Sequence, residues 1–265
     1  TSSSSLPERR FAVVAYIVRR TLLMAVTLIG MSIIIFALLR LVPGNIADIL
    51  FDSAGFVDPA EKAALEEELG LSDSIPVQYW NWIVGLAQGD LGFSYVSELP
   101  AIDEIAPRIP ITAKLAALAL FFSVLFGLPL GVISAVKQNT WLDYFLRVVS
   151  LSGLSLPSFW LALLILMAFV TWFGTIPIYT DPPDNLWDEL LLYSIPAAAV
   201  GFRSSALIMR LTRSSMLEVM RQDYIRTAKA KGASDRSVNY GHALANAVLP
   251  VVTIIGIEAA FLIGG

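Results

Sequence analysis

Between residues 216 and 250 the sequence reads MLEVMRQDYIRTAKAKGASDRSVNYGHALANAVLP, a polar island that gathers Asp223, Arg226, Lys229, Lys231, Asp235 and Arg236 into a short span. Cations and carboxylates at this spacing suit recognition of another surface better than bond-making chemistry. The groups that bond-making would need are scarce. There is no Cys and a single His, His242, so thiolate nucleophiles, disulfides and Cys-based metal sites are excluded. His242 has no Asp or Glu partner nearby in sequence and reads as a structural residue. No G-x-x-x-x-G-K-[ST] phosphate loop occurs. Two further charges, Arg203 and Glu258, stand in strongly apolar surroundings, where an ionisable group is a functional candidate by default.

The island divides at Gly232. Asp223 is expected to cap a first helix, with Arg226, Lys229 and Lys231 toward its C-terminus, and Gly232 to end it at positive φ. Ser234 then caps a second helix, from 235 to about 248, which meets Pro250 and runs on into apolar sequence. The apolar residues Met216, Leu217, Val219 and Met220 lead into the pair, a pattern that a merely solvated loop would not use. A plain basic loop would account for the charge but not for that order of residue types.

The island is mounted on a chain that is 56% hydrophobic, with a mean hydropathy of +0.70, which argues for an all-α polytopic integral membrane protein. Residues 1–20 start with a low-complexity serine run and carry Arg9, Arg10, Arg19 and Arg20. A charge-free run at 21–39 follows, about 28 Å as a helix, too long for a secretory core and read as a first transmembrane helix. Residues 40–110 hold twelve carboxylates against Arg40, Lys62 and Arg108, and positive-inside logic puts them outside. Within them Asp58, Pro59 and Glu61 start a helix that Gly70 stops, and Tyr79, Trp80 and Trp82 suggest a structured cap at the outer membrane surface.

The remaining segments are a second membrane helix at 111–136, with Gly127 and Gly131 at close-packing spacing, an inner loop at 137–147 and a third membrane helix at 148–173. Thr140 and Asp143 are placed to cap that third helix and Pro157 to bend it. An acidic outer link at 174–189 holds Asp181, Asp184, Asp188 and Glu189. A fourth membrane helix at 190–212, the polar island at 213–247 and a fifth membrane helix at 248–265 complete the series. Of 22 Asp and Glu, 16 fall in the two outer stretches, whereas only three of 18 Lys and Arg (Arg40, Lys62 and Arg108) do, with Lys114 a fourth at the outer end of the second membrane helix. This asymmetry puts the N-terminus in the cytoplasm. Arg203 lies about 9 Å of helix inside Met209 and either faces water or a partner, or snorkels to the headgroups. Glu258, near mid-bilayer, either lines a pathway or satisfies a neighbouring helix. We take both as candidate translocation-pathway residues.

The run Asp223-Tyr224-Ile225-Arg226-Thr227-Ala228-Lys229-Ala230-Lys231-Gly232, with Leu249-Pro250 downstream, resembles the coupling loop of ATP-binding-cassette importer permeases of the peptide and nickel group. Ala228 and Gly232 fall where the Glu-Ala-Ala-x-x-x-Gly motif has its second Ala and its Gly, while Arg226 and Thr227 replace its Glu and first Ala. The pattern Leu69-Gly70-Leu71, Pro76, Tyr79, Trp82, Gly89-Asp90-Leu91-Gly92 and Arg108-Ile109-Pro110-Ile111-Thr112 is similar to the external region of one of the two permease types in peptide importers.

The resemblance implies a type I importer permease fold, with five transmembrane helices in this sequence and six or more in the full chain. It further implies a second homologous permease, two ATPase subunits that bind the ATP and Mg, an extracytoplasmic substrate-binding protein, a bacterial or archaeal inner membrane, and no nucleic acid. Asp223, Tyr224, Arg226, Thr227, Ala228, Lys229 and Gly232 would be its ATPase-coupling residues. Peptides are the expected solute, with nickel chelates or glutathione as alternatives. An ion-coupled secondary transporter, with Arg203 and Glu258 as coupling charges, is the rival from another class, but the inverted repeats it would favour are not seen. A membrane-embedded enzyme would need a partnered His or paired intramembrane Asp.

Overall fold

The computed structural model describes residues 6–54, 58–174 and 185–264, and it is almost wholly helical. The serine run at 1–5 and Asp181 and Asp184 of the acidic link lie outside these residues. Among the described residues four helical runs are long and apolar enough to cross a membrane, or five if one sharply bent pair counts as a single span. Two compact units divide at residue 106.

The first unit opens with α1 (Leu6–Leu41), in whose apolar window from residue 13 on no residue is buried within the chain, as expected of a helix bathed in lipid. It then folds α2 (Ile46–Ala54), α3 (Pro59–Glu68) and α4 (Ile75–Ala87), a two-residue hairpin of β1 (Phe93–Ser94) and β2 (Leu99–Pro100), and α5 (Ala101–Ile105). The acidic stretch is therefore structured over most of its described length. Asp58 accepts a hydrogen bond from the Ala60 amide at the start of α3, and Gly70 follows its end at φ +64°, so both expected helix signals operate. Lys62 pairs with Asp48 across α2 and α3, and that ammonium holds the Asp48 carboxyl below its ordinary pKa. Phe36, Tyr79 and Trp82 meet as an aromatic cluster, and the Ser32 and Tyr79 hydroxyls lie 2.8 Å apart.

The second unit is built on α6 (Arg108–Val136) and α9 (Leu186–Val219), the most extensively packed helix pair of the chain. Small residues set how closely they approach. A Cβ added to Gly201 would fall 2.7 Å from the Ala119 carbonyl oxygen; one on Gly131 would fall 2.7 Å from that of Met209, and one on Gly127 2.7 Å from that of Ser205. The expected close packing at Gly127 and Gly131 is what these contacts display. Ser123 donates to the Ala119 and Gly201 carbonyls at 2.6 and 3.0 Å, tying the two helices with one hydroxyl.

Between them come α7 (Trp141–Ser155) and α8 (Ser158–Phe173), and here the single bent helix expected at 148–173 is corrected: the two meet at 110°. Pro157 supplies no amide hydrogen and pushes Leu156 into the extended region (φ −84°, ψ 132°), so the ladder breaks instead of bending. At the start of α7, Thr140 accepts from the Asp143 amide, as expected of a cap. The Asp143 side chain does something else. Fully buried, it receives the Arg213 guanidinium through two 2.8 Å bonds, the Ser134 hydroxyl at 2.6 Å and the Asn139 amide at 3.0 Å. One carboxylate thereby joins α6, the turn after it, α7 and α9.

After α9 come α10 (Asp223–Ala230), a π-helical turn at Ser237–Ala243 and α11 (Leu244–Gly264). One further expectation is corrected. Gln222, not Asp223, is the N-cap residue of α10, with no side-chain cap bond; Asp223 is the first helical residue, where its charge favours the helix dipole. The second helix of the island opens with the π-helical turn and runs on through Pro250, which lies inside α11. A proline is tolerated there because its missing donor costs one bond in an otherwise continuous apolar helix.

These contacts predict two stability outcomes in detergent. Gly201→Ala should destabilise by about 1–3 kcal/mol, the usual cost of overpacking, while Gly30→Ala, whose Cβ would meet nothing within 4 Å, should be neutral; equal unfolding temperatures would refute the close-approach account. Arg213→Met strands a buried carboxylate and should cost about 3–5 kcal/mol. Asp143→Asn should cost less, because the Arg213 side chain keeps 18% exposure and can turn to water.

Candidate functional site

The polar island folds as an elbow seated on the ends of the long helices. Helix α10 is short and presents most of its residues to solvent: Asp223, Tyr224, Arg226, Thr227 and Lys229 are exposed. It is anchored through Ile225, 1% exposed, with Ala228 packed beside it. That anchor enters a cluster of Val132 and Ala135 from α6, Met216 from α9, Val238 and Ala243 from the π-helical turn, and Ala247 from α11. Leu217, Val219 and Met220, the apolar residues expected to serve the elbow, pack around it.

The end of α10 is set by hydrogen bonding as well as by conformation. Gly232 has φ +84°, its amide donates to the Lys229 carbonyl at 2.9 Å, and the Ala233 amide reaches the Ala228 carbonyl at 3.1 Å, the pattern that closes a helix through a left-handed residue. Ser234 then accepts from the Ser237 amide at 3.3 Å and opens the next turn. No atom lies within 4 Å of where a Gly232 side chain would start, so only backbone conformation demands glycine there.

On the outward face the charges are weakly committed. Arg226 lies 3.4 Å from Asp223, with 76% and 95% side-chain exposure, and Lys229 lies 3.6 Å from Asp235. Pairs this exposed contribute little to stability, which leaves their charges available to a partner. Thr227 donates its hydroxyl to the Asp223 carbonyl at 3.0 Å and caps its own helix turn. The arrangement is an exposed charged ridge on an apolar root. Among the described residues no group of three or more His, Asp or Glu is placed to hold a metal, and His242 is exposed on the π-helical turn.

The two candidate pathway charges are not brought together. Arg203 is exposed on α9, whereas Glu258 on α11 is 4% exposed and accepts a hydrogen bond from Ser204. Glu258 thus bonds to the neighbouring helix α9. A cavity of about 630 Å³ between α6, α7, α8 and α9 touches neither residue; its walls, including Phe122, Phe126, Leu161, Ile165 and Phe202, are almost entirely apolar. The pairing of Asp143 with Arg213 went unread in sequence because the two residues are 70 positions apart. The only signal was a carboxylate placed in an otherwise basic inner loop.

Comparison with known proteins fits this architecture. Residues 127–265 match the family described as "Binding-protein-dependent transport system inner membrane component", and residues 13–116 match the N-terminal component of the same systems. The dipeptide transport system permease protein DppB of Alkalihalophilus pseudofirmus is 39% identical, over 95% of this chain and 81% of its own length. The oligopeptide transport system permease protein AppB of Bacillus subtilis is 35% identical, over 95% and 80%. The glutathione transport system permease protein GsiC of Escherichia coli K12 is 36% identical, over 94% and 79%. With a helical membrane bundle, a charged elbow at the ends of its helices and relatives of this closeness along nearly all its length, the chain belongs to the binding-protein-dependent inner membrane components, the multi-pass permeases of ATP-binding-cassette importers.

Proposed function

We propose that the chain forms one half of the translocation pore of an ATP-driven peptide importer and receives force from partner ATPases through α10. The observation that carries the coupling role is the pairing of an exposed charged ridge with a single buried anchor, Ile225, in a cluster shared by α6, α9 and α11. A push on the ridge is passed to three helices at once, because close-packed side chains transmit displacement instead of absorbing it. The names of the relatives support the solute class: dipeptide, oligopeptide and glutathione are all short peptides. ATP and Mg bind to the partner ATPases, since this sequence has no phosphate loop of its own. A second permease completes the pore, and an extracytoplasmic binding protein delivers solute to the outer face.

Coupling on this reading is a shift between two packings. ATP-driven closure of the ATPases displaces the ridge, and the bundle moves between inward-facing and outward-facing states according to which packing each bound partner favours. Asp223, Tyr224, Arg226, Thr227 and Lys229 make the contact, Ala228 packs the root, and Gly232 fixes the angle at which α10 leaves the elbow.

Gly232→Val should impose about 1 kcal/mol or more of conformational strain and redirect the chain after α10. The variant should still reach the membrane, while peptide uptake and solute-stimulated ATPase activity of the assembled complex fall together. Arg226→Glu should do the same by reversing the ridge charge. Wild-type uptake and coupling in both variants would reduce the elbow to a basic loop.

The orientation is testable separately. In intact cells a Cys at Glu61 in α3, which is exposed, should react with an impermeant maleimide added outside, and one at the exposed Ser234 should not. The opposite pattern would invert the topology while leaving the docking test intact.

A further inference from the structure

Beside the elbow a second feature is independent of it. Where α7 and α9 run together near their inner ends, a groove of about 470 Å³ opens to the outside. Three guanidinium groups line it, those of Arg147, Arg210 and Arg213, and among the described residues no carboxylate does. Arg213 is already neutralised by Asp143. Arg147 lies over the Tyr144 ring at 5.4 Å, a contact that leaves its positive charge uncompensated. Arg210 makes no hydrogen bond or ion pair with any described residue. Two free cations thus share one groove, and each raises the energy of the other until an anion enters.

The other walls decide what kind of anion fits. Val148, Leu151 and Leu154 continue the groove along α7, away from the elbow and toward the apolar half of the bundle. Trp141, Tyr144 and Phe145, all exposed on the first turns of α7, mark the level at which aromatic side chains sit between water and hydrocarbon. Cations at that level with an apolar wall running inward match a molecule whose charged head and greasy tail are joined. Basic pockets between membrane helices on the cytoplasmic side hold lipid head groups by this arrangement.

We propose that the groove between α7 and α9 is a binding site for an anionic phospholipid, with the phosphodiester between Arg147 and Arg210, the Ser214 hydroxyl donating to it, and an acyl chain along Val148, Leu151 and Leu154. The occupied groove neutralises the arginine pair beside the Asp143–Arg213 junction. The site does not depend on the solute or on ATPase docking.

Purified protein in mild detergent, titrated with phosphatidylglycerol, phosphatidylcholine or inorganic phosphate and read by native mass spectrometry, tests the site. Phosphatidylglycerol should be retained, and zwitterionic phosphatidylcholine should be retained several-fold less. Each of Arg147→Gln and Arg210→Gln should weaken phosphatidylglycerol retention by about fivefold, the equivalent of one interfacial cation, and the double variant by about twenty-five-fold. Lys137→Gln, exposed at the same end but outside the groove, should change nothing. Arg210 is exposed and makes no hydrogen bond or ion pair with any described residue, so Arg210→Gln should unfold at the wild-type temperature without lipid, and its result stands even if the double variant misfolds. Equal retention by wild type and Arg210→Gln overturns the proposal, as does equal retention of the two lipids. Displacement of phosphatidylglycerol by millimolar inorganic phosphate also overturns it, assigning the groove to a soluble anion.

Discussion

The distance between α6 and α9 is the constraint from which the rest of the second unit follows. In hydrocarbon, helices gain nothing by hiding apolar surface from a solvent as apolar as themselves, so association rests on close contact and on hydrogen bonds between helices. Gly127, Gly131 and Gly201 let backbones meet where a methyl group would collide with a carbonyl oxygen. That closeness puts Ser123 within reach of the Gly201 carbonyl. The same logic extends outward: Gly153 of α7 sits against Ala206 and Phe202 of α9, with Ser150 donating to the Ala206 carbonyl, and α11 joins through Ser204 and Glu258.

At the end nearest the elbow the principle changes from small residues to charge. Asp143 is fully buried and takes four donors from several chain segments. A carboxylate so placed is stable only with all of them present, because the cost of removing it from water is offset by its partners jointly. It therefore fixes the spacing of α6, α7 and α9 just before α9 enters the cluster around Met216 and Ile225. On the proposed coupling role, force entering at α10 would meet a base that is locked by charge and tightly packed, and the base would move as a unit instead of deforming.

Much of this was legible in sequence, for definable reasons. The Gly-x-x-x-Gly spacing on α6, the Gly232 stop, the Ser234 start and the acidic stretch with its α3 cap are local patterns, and local patterns survive folding. What escaped was either non-local or a matter of degree. Arg213 finds Asp143 across 70 residues, and nothing in either neighbourhood names the other. Pro157 announced a disturbance, but whether the helix bends or breaks depends on Leu156 adopting an extended conformation. Gln222 took the cap position because the turn after α9 ends one residue earlier than the Asp223 pattern implied.

The distribution of bond strengths says where such a bundle yields. Hydroxyl contacts between membrane helices are worth about 0.6 kcal/mol each on average, so Ser123, Ser150 and Ser204 together hold the upper helices only lightly. The helical ladder itself is interrupted at the break before α8, at the π-helical turn and at Pro250, each of which removes or redirects backbone hydrogen bonds. Two of these three lie between the rigid base and the membrane part of α11, a helix that buries only Ala247, Val251 and Glu258 within the chain. A base held by a strong ionic junction and an upper bundle held by many weak contacts can exchange packings at small cost above while keeping its geometry below. That is the mechanical asymmetry that the proposed coupling of a push at α10 to a change of access would require.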